Sequence, residues 1–392
     1  MLKVLDLINS NLENDRWKEI LSAKPYCIKI KEGSDPSNPH CILNYDQIES
    51  SFMEEIVREC RGLIIRQYYT DDDGKFIYRP VCVPFFKFGN YGEGYCPEIN
   101  WRTAKVYEKL DGSLIKLWYD AGKWHVSTNG TINAYQAQVN QTDLTFGQLF
   151  DKALRETLEH TFGDVLLDEH VKVWWDNLNK DCTYMFELCC PENRIVVPHT
   201  KYRLYHIGTR NNQTLQELDE TLGGTLRPMQ FILYDIDACL EAAKKLPHSK
   251  EGYVICDGNF NRVKVKGPAY LSVFYMKNNG VLTTERIIDI LRSNEVSEFL
   301  TCFPEYTEQF QKISMEIEGT KQWLEVELEK IQKMDFPTQK DFALYIVPNM
   351  GRYKSYFFAW KKTGILPEQW LDDMSSHKLA ELLENCTNWN ED

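Results

Sequence analysis

At 392 residues the chain is longer than one hydrophobic core usually serves and long enough for two domains. Hydrophobic residues make up 43% and charged residues 26%, and no apolar run approaches the roughly 20 residues of a membrane span, which argues against a membrane partner. A net charge of -13 argues against general avidity for nucleic acid, so a polyanion would have to meet a local basic patch.

The opening MLKVLDLINSNLENDRWKEIL spaces its apolar residues like an amphipathic helix and has no continuous apolar segment of the signal-peptide kind, so a cytoplasmic protein is expected. Strands are predicted at YCIKIK, CRGLIIR, FIYRPVCV, KWHVST, YMFELCC, RLYHIG, GYVICD and NRVKVK, and on both sides of the turn in VYEKLDGSLIKLWYD. Many neighbouring runs are joined through Gly, Asn or Asp, which suits antiparallel pairing. Helical spacing marks LTFGQLFDKALRETLEH and ACLEAAKKL, so residues 1–278 read as an α+β domain. After KGPAYLS the texture changes. Phe310, Ile313, Ile317, Leu324, Leu328 and Ile331 recur at helical spacings, and residues 279–392 read as an all-α domain whose closing ENCTNWNED frays. Twelve scattered cysteines without a CxxC suggest reduced structural thiols rather than a zinc site or a disulfide framework.

Several charged residues sit where strands should be apolar. Lys109 and Asp111 occupy the centre of EKLDGSL, and Asp-Gly is a turn signal, so Lys109 is expected at a strand end where the chain reverses and its amine projects into a cleft. Taken alone, K-x-D-G is more simply a solvated hairpin lysine. Glu187 stands inside the apolar strand YMFELCC, where a carboxylate needs a cation or hydrogen bonds; a partnered structural glutamate is the plainer alternative. EGYVICDGNFNRVKVKG is a hairpin with Glu251 before one strand, and with Lys264 and Lys266 two apart on the other, facing the same side. Two like charges so placed suit a phosphate, although exposed edge lysines would look the same.

The ordered set ECRG, KFGN, EKLDGSL, FELCCPENRIV, EGYV and KVK resembles the covalent nucleotidyltransferases, which comprise ATP-dependent DNA ligases, RNA ligases and mRNA capping enzymes. Among these it is most similar to the bacteriophage-type RNA ligases that seal broken tRNA, over about residues 40 to 275. The resemblance implies a nucleotidyltransferase fold of antiparallel sheets flanked by helices. It also implies an enzyme in which Lys109 attacks the α-phosphorus of ATP to give lysyl-AMP. AMP then passes to an RNA 5′-phosphate, and a 3′-hydroxyl displaces it.

By the same resemblance Tyr45, Arg61, Lys87, Glu187, Lys264 and Lys266 hold ATP or AMP, and Glu251 is associated with Mg²⁺ or Mn²⁺. The partner implied is RNA with 5′-phosphate and 3′-hydroxyl ends, cleaved tRNA among them, acted on by a monomer. A lysine attacks only as the free amine, so its usual pKa of about 10.4 must fall in the loaded site, where nearby cations and a dry environment act in that direction. One departure stands out: related ligases often carry a basic residue before a glycine where VSTNGTI has Asn129. A DNA ligase or capping enzyme would continue into an OB-fold after KVK, and a non-catalytic RNA-binding protein would have no reason to carry this charged set. Within MGRYKSYFFAWKK, Arg352, Lys354, Lys361 and Lys362 alternate with aromatics and are candidate RNA contacts, the aromatics being equally suited to packing the domain.

Overall fold

The computed structural model divides into two compact units, Met1–Lys277 and Asn278–Asp392. It describes residues 2–384 except 36, 38, 48, 70–75, 140–141, 164–166, 277–281, 293–295, 297–298 and 301–305, so residues 385–392, expected to fray, lie outside the described part. Among the described residues no helix is long and apolar enough to cross a membrane, and the ten described cysteines are free thiols.

The first unit opens with helices α1 (Lys3–Asn9) and α2 (Arg16–Ser22), followed by strands β1 (Ile28–Glu32) and β2 (His40–Tyr45) and the short helix α3 (Glu55–Glu59). Strands β3 (Arg61–Tyr69) and β4 (Phe76–Cys82) complete an antiparallel sheet of order β1-β2-β3-β4. Its outer face carries Leu43, Leu63 and Ile65, which pack with Leu5, Ile8, Trp17 and Leu21 of α1 and α2. Next come β5 (Lys105–Lys109), β6 (Ser113–Asp120) and β7 (Lys123–Thr128), the last two joined by Ala121 and Gly122, both at positive φ as a two-residue type I′ turn requires.

Helices α4 (Phe146–Phe162) and α5 (Leu167–Asp176) precede β8 (Cys182–Cys189), β9 (Arg203–Asn211), β10 (Glu217–Leu218) and β11 (Gln230–Phe231). A capping box between Thr145 and Gln148 starts α4 by satisfying two of its orphan backbone donors. The unit closes with α6 (Ile236–Lys244), β12 (Gly252–Cys256), β13 (Arg262–Lys266) and α7 (Pro268–Met276). Two further sheets result, of order β10-β9-β8-β6-β7 and β11-β5-β12-β13. The five-stranded sheet turns Ile115, Leu117, Phe186 and Leu188 toward α4 and α5, and its other face meets the first sheet through Trp118 against Ile42, Ile64, Val81 and Cys82. Alternation along the strands therefore assigns Glu187 and Lys116, one residue out of step with the helix-facing set, to the side of the first sheet.

The expected hairpin at EKLDGSL is not what the structure shows. β5 pairs with β11 and β12, whereas β6 pairs with β7 and β8, so the Asp-Gly turn passes the chain from one sheet to another. GYVICDGNFNRVKVK is a true hairpin, held by Asp257 Oδ1 accepting from the Asn259 and Asn261 amides.

The second unit contains α8 (Thr284–Arg292), the 26-residue α9 (Thr307–Gln332), α10 (Gln339–Asn349), α11 (Lys354–Thr363), α12 (Pro367–Asp372) and α13 (Ser376–Glu384). On α9 the apolar stripe is core: Phe310, Ile313, Leu324, Leu328 and Ile331 are buried. Its described residues include no strand, which is not the continuation expected of an OB-fold.

Candidate active site

β5 ends at Lys109 because the chain must leave its sheet there. In register, Gly252 of β12 stands opposite Lys109 on one side and Lys266 on the other. A side chain on Gly252 would be impossible, since its Cβ would lie 2.0 Å from the Val265 carbonyl. Glu251 immediately precedes this crossing and reaches both lysines. Its Oε1 is 2.7 Å from Lys109 Nζ and 3.1 Å from Lys266 Nζ, with Glu251 3% exposed and the Lys109 side chain 19% exposed. Lys109 is thus a paired, mostly covered lysine rather than a solvated one.

Glu187 approaches from β8. Its Oε1 accepts the Gly112 amide at 3.1 Å, as the register Leu114↔Glu187 allows. Burial pushes its pKa up to about 7, with the Lys109 charge opposing the rise and Glu251 and Asp111 adding to it. Asp111 itself is 4% exposed and acts as a clasp. Its Oδ2 accepts the amides of Val196 and Val197 at 2.9 and 2.6 Å, and its Oδ1 accepts the Tyr270 hydroxyl at 2.8 Å. His199 Nε2 donates to the Asp111 carbonyl at 2.6 Å, and Asn193 Nδ2 donates to Ser113 Oγ at 2.7 Å. The PENRIV segment therefore wraps the turn that carries Lys109, while α7 holds it through Tyr270.

The upstream motifs meet β13. The KFGN segment pairs with it: the Lys264 amide donates to the Gly89 carbonyl at 3.0 Å, and the Tyr91 amide donates to the Lys264 carbonyl at 2.8 Å. This covers the outer edge of the sheet, so Lys264 and Lys266 are not exposed edge lysines; Lys264 is 9% exposed and the Lys266 side chain 5%. The Phe88 ring lies between two cations, 5.7 Å from the Arg61 guanidinium and 5.6 Å from Lys264 Nζ. Lys87 is drawn elsewhere, over the rings of Phe52 at 4.9 Å and Tyr45 at 5.4 Å. Tyr45 is 5% exposed, an aromatic wall beneath Lys87 rather than an open surface.

Lys109, Glu187, Glu251 and Lys266 are thus brought around the end of β5, and Arg61 and Lys264 around Phe88. Phe88, Tyr270 and Lys116 were not among the residues sequence reasoning singled out. A lysine inside the apolar run LIKLWY was the available signal for Lys116.

In the helical unit, Tyr356 and Phe357 are buried, Tyr353 packs on Trp323 at 4.8 Å and Phe358 on Phe342 at 5.7 Å. Tyr356 and Phe357 serve the interior, and Tyr353 and Phe358 are half-buried. Lys354, Lys361 and Lys362 are exposed and Arg352 is half-buried over the Tyr353 ring.

A family model described as RNA ligase matches residues 59–270, a span that holds Arg61, Lys109, Glu187, Glu251 and both β13 lysines. A candidate bifunctional polynucleotide kinase/RNA ligase of Autographa californica nuclear polyhedrosis virus is 29% identical over 292 residues, which cover 70% of this chain and 39% of that protein. An RNA ligase of Rhodothermus phage RM378 is 26% identical over 332 residues, covering 70% of this chain and 72% of the phage protein. An archaeal ATP-dependent RNA ligase of known structure aligns over 79% of this chain and 78% of its own with 13% identity and a TM-score of 0.41.

Proposed function

The chain belongs to the RNA ligase family, and from that premise we propose that it joins RNA 5′-phosphate and 3′-hydroxyl ends at the expense of ATP. The observation that carries the reading is the meeting of Lys109 and Lys266 on one oxygen of Glu251 at the junction of two sheets. In the first step Lys109 Nζ forms a bond to the α-phosphorus, the bond to the α,β-bridging oxygen breaks, and pyrophosphate leaves. A 5′-phosphate oxygen of RNA then attacks the same phosphorus, and the P–N bond breaks to return the amine. Finally a 3′-hydroxyl oxygen attacks the RNA 5′-phosphorus and AMP departs.

The residues suit this sequence. Phosphoryl transfer depends on alignment and charge neutralisation, and Lys264, Lys266 and Arg61 supply positive charge along the nucleotide. Glu187, whose Oε1 accepts the Gly112 amide, would accept ribose hydroxyls. Among the described residues no cluster of three or more His, Cys, Asp or Glu side chains could hold a metal ion. The cation we propose is Mg²⁺ or Mn²⁺; Mg²⁺ commonly rests on one or two carboxylates plus substrate phosphates. Glu251 would hold it, and a bound cation would supply charge neutralisation at the phosphates.

The helical unit we assign to recognition of the RNA, with broken tRNA as the substrate and RNA repair as the role. The helical continuation after β13 favours this over a DNA ligase or capping enzyme. The test is incubation with ATP labelled at the α-phosphate, followed by a denaturing gel. Wild-type protein should retain label and Lys109→Ala should not; label persisting on a folded Lys109→Ala protein would sink the mechanism.

A further inference from the structure

Lys116 lies in the middle of β6 and is fully buried. A lysine without solvent is costly to hold, and here the fold holds it at one particular point: Nζ donates to the carbonyl of Gly62 at 2.5 Å. Burial pushes its pKa down to about 8, against the pull of Cys82 and with a further push from Arg61.

At Gly62 the start of β3 meets β6 and the turn after β7. Its φ is +73°, and a Cβ there would lie 2.7 Å from the Asn129 carbonyl, 2.8 Å from Asn129 Oδ1 and 2.8 Å from Lys116 Nζ. The side chains of Lys116, on β6, and Asn129, just beyond β7, therefore arrive at the same place. Asn129 Oδ1 at this point is buried without a hydrogen-bond partner among the described residues, and so is Nη1 of the neighbouring residue Arg61. Orphaned buried donors and acceptors are expensive unless something completes them.

The strand pairing shows which way the cluster faces. Lys116 stands opposite Met185 and Ser127, one same-face step along from the pair Leu114↔Glu187, so it shares a face of the sheet with Glu187.

Resting on the ligase reading above, we propose that Lys116 is a positioning residue for ATP: its buried Nζ holds the Gly62 carbonyl, with Asn129 beside it, and so fixes the backbone just after Arg61 so that the Arg61 guanidinium is presented to the nucleotide. Lys116 has no exposed surface and does not touch the nucleotide itself. It acts through Arg61 and Gly62.

The test uses the full-length chain and initial rates of lysyl-AMP formation at varied ATP. Lys116→Gln keeps a donor for the Gly62 carbonyl and removes the charge. It should fold, raise KM for ATP by about tenfold or more, and alter the saturating rate only a few-fold, since an Arg61 no longer held in place loses a charge-assisted contact to the nucleotide. Because Asn129 reaches the same point, adding Asn129→Lys to Lys116→Gln should bring KM back to within a few-fold of wild type. A Lys116→Gln protein with wild-type KM, or a double variant no better than the single one, overturns the assignment. Should Lys116→Gln fail to fold, Lys116→Met with Asn129→Lys takes its place: near-wild-type KM in that protein supports the proposal, and a raised KM or loss of folding overturns it. A wild-type chain that takes no label from ATP overturns this assignment together with the ligase reading, whereas a labelling wild type with an indifferent Lys116→Gln overturns this assignment alone.

Discussion

Lys109 and Lys266 meet the same oxygen, Oε1 of Glu251, at 2.7 and 3.1 Å. One carboxylate thus draws together two cations that would otherwise repel, and it does so at 3% exposure, where an unpaired charge is expensive. On the mechanism proposed above, Lys109 would have to part from Glu251 to attack phosphorus, and Lys266 would turn to the α-phosphate.

Replacing Glu251 should therefore have two effects. Glu251→Ala leaves Lys109 and Lys266 facing each other and should destabilise the protein by about 3–5 kcal/mol, as for other broken buried pairs. It should also slow lysyl-AMP formation by about 10²-fold or more. Glu251→Asp keeps the charge on a shorter arm, and raising Mn²⁺ or Mg²⁺ should recover part of its rate. A metal titration of both variants checks this, and an Asp variant indifferent to metal concentration would argue that Glu251 serves only the lysines.

The β13 lysines differ in their surroundings, Lys266 on Glu251 and Lys264 beside Phe88. If both face the α-phosphate in the loaded site, Lys264→Ala and Lys266→Ala should each slow adenylylation by about 10²-fold or more, since each removes charge from the transition state. Pre-steady-state labelling would measure it. Near-normal rates in both would return them to structural cations.

Glu187 should reveal itself through pH. Its folded-state pKa is raised to about 7 from the ordinary 4.5, so between these values the folded chain binds more protons than the unfolded one and stability falls as pH rises. The penalty is absent below about pH 4.5 and complete above about pH 7. Glu187→Gln should then raise stability at pH 8, by at most about 3 kcal/mol from 1.36 kcal/mol per pKa unit, with the gain vanishing toward pH 4.5. Melting curves at several pH values would check it, and a gain independent of pH would refute the buried-carboxylate account.

Asp111 gives a stability prediction that does not depend on catalysis. Its carboxylate accepts two amides and the Tyr270 hydroxyl. Tyr270→Phe removes one charge-assisted hydrogen bond, for about 1.5–3 kcal/mol, and Asp111→Asn turns an amide NH₂ toward one of the donors and should cost at least as much. Denaturant midpoints would measure both. If Tyr270→Phe were neutral, α7 would not be holding the Lys109 turn.

Much of this architecture was legible because periodicity is local. Every strand singled out in the first unit is present, as is the long α9. The apolar run of β2 and the two-residue β10 and β11 were not, since a continuous apolar run or a single pair of residues has no period to read. The turn at Asp111-Gly112 signalled a reversal, and the structure uses it to change sheets. That choice is made by distant partners, Val196, Val197 and Tyr270, which no local pattern reveals. Of the site, charged residues inside apolar strands were the readable part. The convergence of Lys116 and Asn129 on Gly62 depends on strand register across two sheets, which spacing alone does not specify.

The helical unit offers the last test. Tyr356 and Phe357 are committed to its core, so aromatic stacking on bases is not the contribution expected from MGRYKSYFFAWKK. Lys354, Lys361 and Lys362 remain exposed, and Arg352 is half-buried. On a chain of net charge -13, these cations would act as a local patch for phosphates. Phosphate contacts of this kind appear in the salt dependence of binding, at about 0.7 in the log–log slope per contact for single strands. Replacing all four with alanine should therefore weaken RNA binding, reduce that slope by about 2 to 3 and leave lysyl-AMP formation intact, because the ATP motifs lie in the first unit. Affinity for single-stranded RNA at several salt concentrations, measured beside ATP labelling, separates the outcomes. An unchanged slope would mean that the RNA is held elsewhere, and lost labelling would mean that this helix serves the nucleotide chemistry after all.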